Sequence, residues 1–135
     1  MRSPSDDPVA WFRKADSDLR VAELALADDE PLAEIACFHA QQCAEKYLKG
    51  YLTAKGIPFK FVHELAYLVR LCIKADPDFS FLLQSAAELQ DYATDARYPS
   101  EEFEPPTPDE AREAIKRAAH ISDYVRSKLG GSGKD

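Results

Sequence analysis

Phe38-His39-Ala40-Gln41-Gln42-Cys43-Ala44-Glu45-Lys46 is the stretch on which the reading of this chain turns. It lies inside an apolar-periodic run that extends from Pro31 to Lys55. Gly56 then occupies the position that commonly ends a helix, and Pro58 blocks continuation. At about 100° per residue, Leu32, Ala36, Ala40, Cys43, Ala44, Tyr47, Leu48 and Tyr51 cover most of the circumference. Ile35, Phe38 and Leu52 fall on the other, less buried side, where they read as a dimer or partner surface. A helix that is apolar nearly all round belongs at the centre of a bundle.

The same helix carries a polar seam. Taking His39 as origin, Lys46 falls at roughly 340°, Gln42 at roughly 300° and Lys49 at roughly 280°. Glu45 lies beside this band and pairs with Lys49 at i,i+4. Two lysines and an imidazole on one band suit a phosphate-bearing ligand. The plainer alternative is a solvated stripe, or hydrogen bonds that tie this helix to its neighbours.

Working outward, a first helix is expected from Pro8 to Ala27. Asp7 can cap it, and Trp11, Ala15, Leu19, Ala22 and Leu26 draw one apolar stripe. A third runs from His63 to about Ala75 with Leu65, Leu68, Val69 and Cys72 on its face. A fourth starts near Asp78, carries Phe81, Leu82, Ala86, Leu89 and Ala93, and ends before Pro99. Pro99 to Pro108 reads as an acidic, extended loop. Thr107, Pro108 and Glu110 then form a near capping box for a fifth helix bearing Ala111, Ile115, Ala118, Ser122, Val125 and Leu129. Strand signals are weak throughout. The expected fold is therefore all-α, an up-and-down bundle of about five helices over residues 8–129. A flexible N-terminus (1–7) and a flexible tail (130–135) flank it.

Bulk properties narrow the function. A chain of 135 residues fits one domain. A net charge of −7 argues against coating DNA or RNA, which requires a basic face. No apolar stretch is long enough to span a membrane, and the first residues are polar, so a cytoplasmic location is expected. Cys37, Cys43 and Cys72 form no CxxC pair and read as reduced, buried thiols.

Most catalytic patterns are missing. There is no Glu-x-x-His pair, and His39, His63 and His120 stand apart on separate helices, so no metal site is expected. No Gly-rich phosphate loop or G-x-S-x-G elbow occurs, and no cofactor is expected. Two further groups stand out. Arg97, in Tyr92…Asp95-Ala96-Arg97-Tyr98-Pro99, either complements a helix C-terminus or, with Tyr98, faces a ligand or partner. His63 either packs at the start of its helix or joins the polar seam. Asp16 and Asp18 are solvated or pair with bases on nearby helices.

Taken together, these residues resemble the HEPN domain, the higher eukaryote and prokaryote nucleotide-binding family. The resemblance rests on Trp11-Phe12, Ala15, Asp18-Leu19 and Ala22, on Phe38 to Gln42 with Ala44-Glu45-Lys46 and Leu48-Lys49, on His63-Glu64-Leu65, and on Tyr92 with Asp95 to Pro99. It spans about Val9 to Arg126. It implies a helical bundle that is commonly a homodimer, a minimal nucleotidyltransferase as partner in a two-component, toxin–antitoxin-like module, and binding of a nucleotide. The candidate nucleotide- or partner-binding residues are His39, Gln42, Lys46, Lys49, His63, Tyr92, Arg97 and Tyr98.

Many relatives of this kind are metal-independent ribonucleases or toxins that use Arg, four to six residues, then His. Here that spacing from Arg97 reaches Glu102, Phe103 and Glu104, and Arg112 to His120 is one residue too long. The expected chain is thus a non-catalytic binding module. A ribonuclease with a diverged site and a structural subunit without a ligand are the alternatives.

Overall fold

The structure is a computed structural model that describes residues 3–95 and 104–130, with backbone alone for residues 92–95. It contains α1 (Pro8–Ala27), α2 (Ala33–Ala54), α3 (Leu65–Ala75), α4 (Leu83–Asp95) and α5 (Pro108–Lys128). Two short 3-10 segments, Pro4–Asp6 and Pro77–Leu82, precede α1 and α4. No strand occurs among the described residues.

Local chemistry accounts for the boundaries. The Asp7 side chain accepts from the Val9 amide at 3.0 Å and Pro8 opens α1. Gly56, at φ +70°, turns the chain out of α2 in a conformation that residues with a Cβ rarely adopt. In front of α5 the Thr107 hydroxyl accepts from the Glu110 amide at 3.1 Å, and the Glu110 carboxylate accepts from the Thr107 amide at 2.8 Å. The capping box is complete. Residues 4–6, read in the sequence as part of a flexible N-terminus, form a 3-10 turn whose Ser5 carbonyl accepts from the Trp11 indole at 3.0 Å.

α2 is the central element. It packs on α1 over most of its length and also touches α3, α4 and α5. Ala36, Ala40, Cys43, Ala44, Tyr47, Leu48 and Tyr51 are buried, as a central helix requires, whereas Leu32, grouped with them in the sequence, is the N-cap and about half exposed. Leu52, expected on the less buried side with Ile35 and Phe38, is instead fully buried. The core reaches further round this end of α2 than a one-sided pattern suggests. α1 can lie so close because Gly50 has no Cβ: one added there would meet the Phe12 ring at 2.4 Å.

The start of the fourth helix also differs from the sequence reading. Pro77–Leu82 winds as 3-10, so residues three apart share a face, and Phe79 and Leu82 are buried. Phe81, expected in the core, is about half exposed and packs edge-on against Tyr124 and His120. Among the described residues no helix is long and apolar enough to cross a membrane. Cys37, Cys43 and Cys72 are free and buried.

Candidate functional site

The polar seam of α2 is built around two carboxylates. Asp18 sits on the buried face of α1 between Ala15 and Ala22. Its Oδ1 accepts from His39 Nδ1 at 2.9 Å and its Oδ2 from Lys46 Nζ at 2.6 Å. Asp18 thus binds two residues that stand seven apart on α2 and therefore lie on one face. Asp16 makes a separate tie, accepting from the Tyr47 hydroxyl and from Arg126 Nη2 at 2.7 Å on α5. Both aspartates are therefore paired with neighbouring helices.

The second carboxylate, Glu45, is only 5% exposed. Lys49 Nζ donates to its Oε2 at 2.8 Å, the i,i+4 pair expected from the sequence. His63 Nδ1 reaches both carboxylate oxygens, at 3.1 and 3.0 Å. Lys49 itself is 4% exposed, beneath the rings of Trp11 and Phe59 at 5.7 and 6.0 Å. It is not a solvent-facing cation. Buried charge needs a partner, and the pair with Glu45 under two ring faces supplies one.

His63 lies on the connection from α2 to α3, one residue ahead of the Glu64 N-cap, and not within α3 as the sequence suggested. This connection is pinned at several points. Gln41 Nε2 donates to the His63 carbonyl at 3.2 Å, and the Lys60 amide donates to the Tyr67 hydroxyl at 3.0 Å. Gln41 is fully buried, and its Oε1 has no hydrogen-bond partner among the described residues. Gln90, on α4, accepts from the Leu65 amide at 2.8 Å and fixes the start of α3.

The two imidazoles are thus held alike. Each donates Nδ1–H to a carboxylate, and neither Nε2 has a partner among the described residues. The His63 side chain is 59% exposed and that of His39 is 27% exposed. A carboxylate that fixes the Nδ1 tautomer leaves Nε2 as the atom offered to a ligand or proton.

Of the other candidates, Gln42 is half-buried and makes no hydrogen bond among the described residues. Tyr92 lies on α4, but its side chain falls outside the described residues, as do Arg97 and Tyr98 entirely. No group of three or more metal-binding side chains occurs among the described residues. The thiols are unsuited to nucleophilic work. Burial pushes Cys37 up to about 11, and Cys43 and Cys72 to about 12.

Sequence reasoning underrated Asp18 and Glu45. The signal for Asp18 was present: it stands three residues after Ala15 and four before Ala22, on the apolar stripe itself. It missed Phe61, in the connection before His63, which is 81% exposed.

Comparison with known proteins settles the family. The HEPN domain sequence model matches residues 9–128, nearly the whole described bundle. This chain belongs to the HEPN family. A structure titled as that of ST0689, an archaeal HEPN homologue, is 30% identical to this HEPN chain, with a TM-score of 0.73, covering 96% of this chain and 99% of that one. TT1696 from Thermus thermophilus is 31% identical, also with a TM-score of 0.73, covering 90% and 98%. Among curated proteins, "Putative toxin MJ1304" of Methanocaldococcus jannaschii is 25% identical over 137 residues, 89% of each chain.

Proposed function

We propose that this HEPN chain is a non-catalytic binding module. It binds a nucleotide through the α2 seam and works as a cytoplasmic homodimer beside a minimal nucleotidyltransferase in a two-component module. The observation that carries the reading is the pair of carboxylate-held imidazoles. His39 on Asp18 and His63 on Glu45 are fixed in orientation with Nε2 left over, and Lys46 is fixed by the same Asp18. A phosphate at either Nε2 requires the imidazolium form, in which Nε2–H donates to it, and groups held in advance make that contact without the ordering cost of loose side chains. Lys49 serves this site from beneath, by holding Glu45. Gln42 offers an unengaged amide on the same band, and Arg97, Tyr92 and Tyr98 complete the candidate set.

The dimer surface in this reading is the groove of about 560 Å³ at the start of α2, where Leu32, Ile35 and Phe38 face Pro105, Pro106 and Pro108. Leu32 and Ile35 are about half exposed, as an apolar contact surface requires.

Titration with ATP and GTP tests the ligand. Saturable binding that weakens at least tenfold in His39→Ala and in His63→Ala is expected. No saturation up to millimolar nucleotide would sink the reading.

One observation favours a second reading. A carboxylate-oriented imidazole with a free Nε2 is also the arrangement of a general base, and a relative bears the name of a toxin. In that reading the chain is a ribonuclease with a diverged site. RNA cleavage by the wild type that is lost in Arg97→Ala would replace the first reading with the second.

A further inference from the structure

The connection from α2 to α3 holds an apolar ring in water. Phe61 is 81% exposed, the most exposed of the large apolar side chains described. Its neighbours are fixed. Lys60 is anchored through its amide to Tyr67, and Val62 through its amide to the Lys60 carbonyl at 2.9 Å. His63 is anchored through its ring to Glu45 and through its carbonyl to Gln41. On its inner side Phe61 packs edge-on against Phe59, with centroids 6.1 Å apart and planes at 75°. Phe59 in turn packs on Trp11 at 6.3 Å, above the buried Lys49. The ring is therefore displayed from a braced turn and not from a loose loop.

A single exposed ring flanked by Lys60 and an oriented imidazole is a small, mixed surface. A protein interface needs a far larger apolar area. A planar aromatic ligand that carries an anion is matched by a ring to stack on with a lysine and an imidazole beside it in the chain. The distance also fits. His63 is two residues from Phe61, so their Cα atoms lie at most roughly 7 Å apart, a span that one nucleotide can bridge. Phe61 also borders an open hollow of about 650 Å³ lined by Ser5, Asp6, Thr53, Ile57, Pro58 and Phe59. Lys60 and His63 do not line it and Asp6 would repel phosphate, so it suits the base and not the phosphates.

We infer that Phe61 is the base-stacking element of the nucleotide site, with His63 and Lys60 contacting the phosphates. This rests on the nucleotide reading above and assigns the base a place that the α2 seam, all polar, does not offer. Stacking on one ring is tolerant of base identity, so ATP and GTP bind with similar affinity.

The test uses the full chain and the emission of Trp11, its one tryptophan, which sits in this aromatic cluster. ATP, GTP and inorganic tripolyphosphate are titrated into the wild type, Phe61→Ala, Phe61→Tyr and His63→Ala, with calorimetry as a second readout. Phe61→Ala is expected to weaken both nucleotides by at least about tenfold and to leave tripolyphosphate within twofold. Phe61→Tyr retains nucleotide binding, whereas His63→Ala weakens all three ligands. Because the ring is exposed, the thermal midpoint of Phe61→Ala stays at the wild-type value, which separates loss of binding from loss of folding. Nucleotide affinity unchanged in Phe61→Ala overturns the inference while the nucleotide reading stands. Equal weakening of nucleotides and tripolyphosphate also overturns it, by placing Phe61 outside base recognition. Absence of any nucleotide binding in the wild type removes both.

Discussion

Asp18 and Glu45 do at the residue scale what a solvated stripe could not. Each collects two basic partners, and each is more buried than the groups it holds in the open. The consequences of removing them differ. Asp18→Asn keeps the shape but loses the charge that Lys46 and His39 share, and is expected to cost about 1–3 kcal/mol. Glu45→Gln leaves Lys49 charged beneath Trp11 and Phe59, and an uncompensated buried charge costs about 3–5 kcal/mol. Replacing both members, in Glu45→Gln/Lys49→Met, is expected to recover most of that loss. Urea unfolding of the two single variants and the double variant checks the order. A double variant no more stable than Glu45→Gln would show that the charge on Lys49 is not the cause. The sequence made the seam legible, because helical angle alone groups His39, Gln42, Lys46 and Lys49. It did not reveal that Lys49 is covered, because the covering rings come from α1 and from the connection after α2. Helical periodicity reports on one helix and is silent on what other elements lay over it.

Among the elements, the α1–α2 pair sets the geometry of everything else. A Cβ at Gly50 of α2 would meet the Phe12 ring of α1 at 2.4 Å, and that ring is stacked on Tyr47 with centroids 5.1 Å apart and planes at 21°. The ring has little freedom to withdraw. Gly50→Ala would gain about 1 kcal/mol from helix propensity, yet it places a methyl inside the ring's contact distance. Overpacking of this kind costs about 1–3 kcal/mol. A net destabilisation is expected, reversed in Gly50→Ala/Phe12→Leu, with thermal midpoints as the measurement. A Gly50→Ala variant more stable than wild type would mean that α1 shifts freely. Elements with strong end signals were legible in full: α1 and α5 follow from Asp7-Pro8 and from Thr107-Pro108 with Glu110. The segment around Phe79 and Phe81 was not, because a 3-10 winding and an α-winding bring different residues to the same face, and composition does not choose between them.

For the whole molecule, the core holds groups that must stay uncharged. Burial raises the Cys37 thiol to about 11 and the Cys43 and Cys72 thiols to about 12, from an ordinary value of 9.0. Burial and the neighbouring Asp16 push the Tyr47 hydroxyl up as well. A group whose pKa is raised on folding binds its proton more tightly in the folded state. Its contribution is complete below the unfolded value and is lost as pH rises towards the folded value. Stability should therefore hold up to about pH 9 as far as these thiols are concerned, and fall between about 9 and 12. A variant with all three cysteines changed to alanine should show a shallower fall in thermal midpoint over the same range. An equally steep fall would assign the alkaline loss to other groups. At the acid end, hydrogen bonding to Lys128 holds the Asp76 carboxyl below its usual range, so that tie between α5 and the end of α3 is lost only under strongly acidic conditions.

The described ties of the candidate site, from Asp18 to His39 and Lys46 and from Glu45 to Lys49 and His63, all fall within the first 63 residues. The helix that closes the other side of α2 begins only at Pro108. On a ribosome, the chain that makes the seam emerges well before α5, whose Ser122 covers Cys43 of α2 at 3.4 Å. Vectorial synthesis thus lets the polar half of α2 find its partners while the apolar half still waits for its cover, and that uncovered half is where a chaperone or a neighbouring nascent copy has its opportunity.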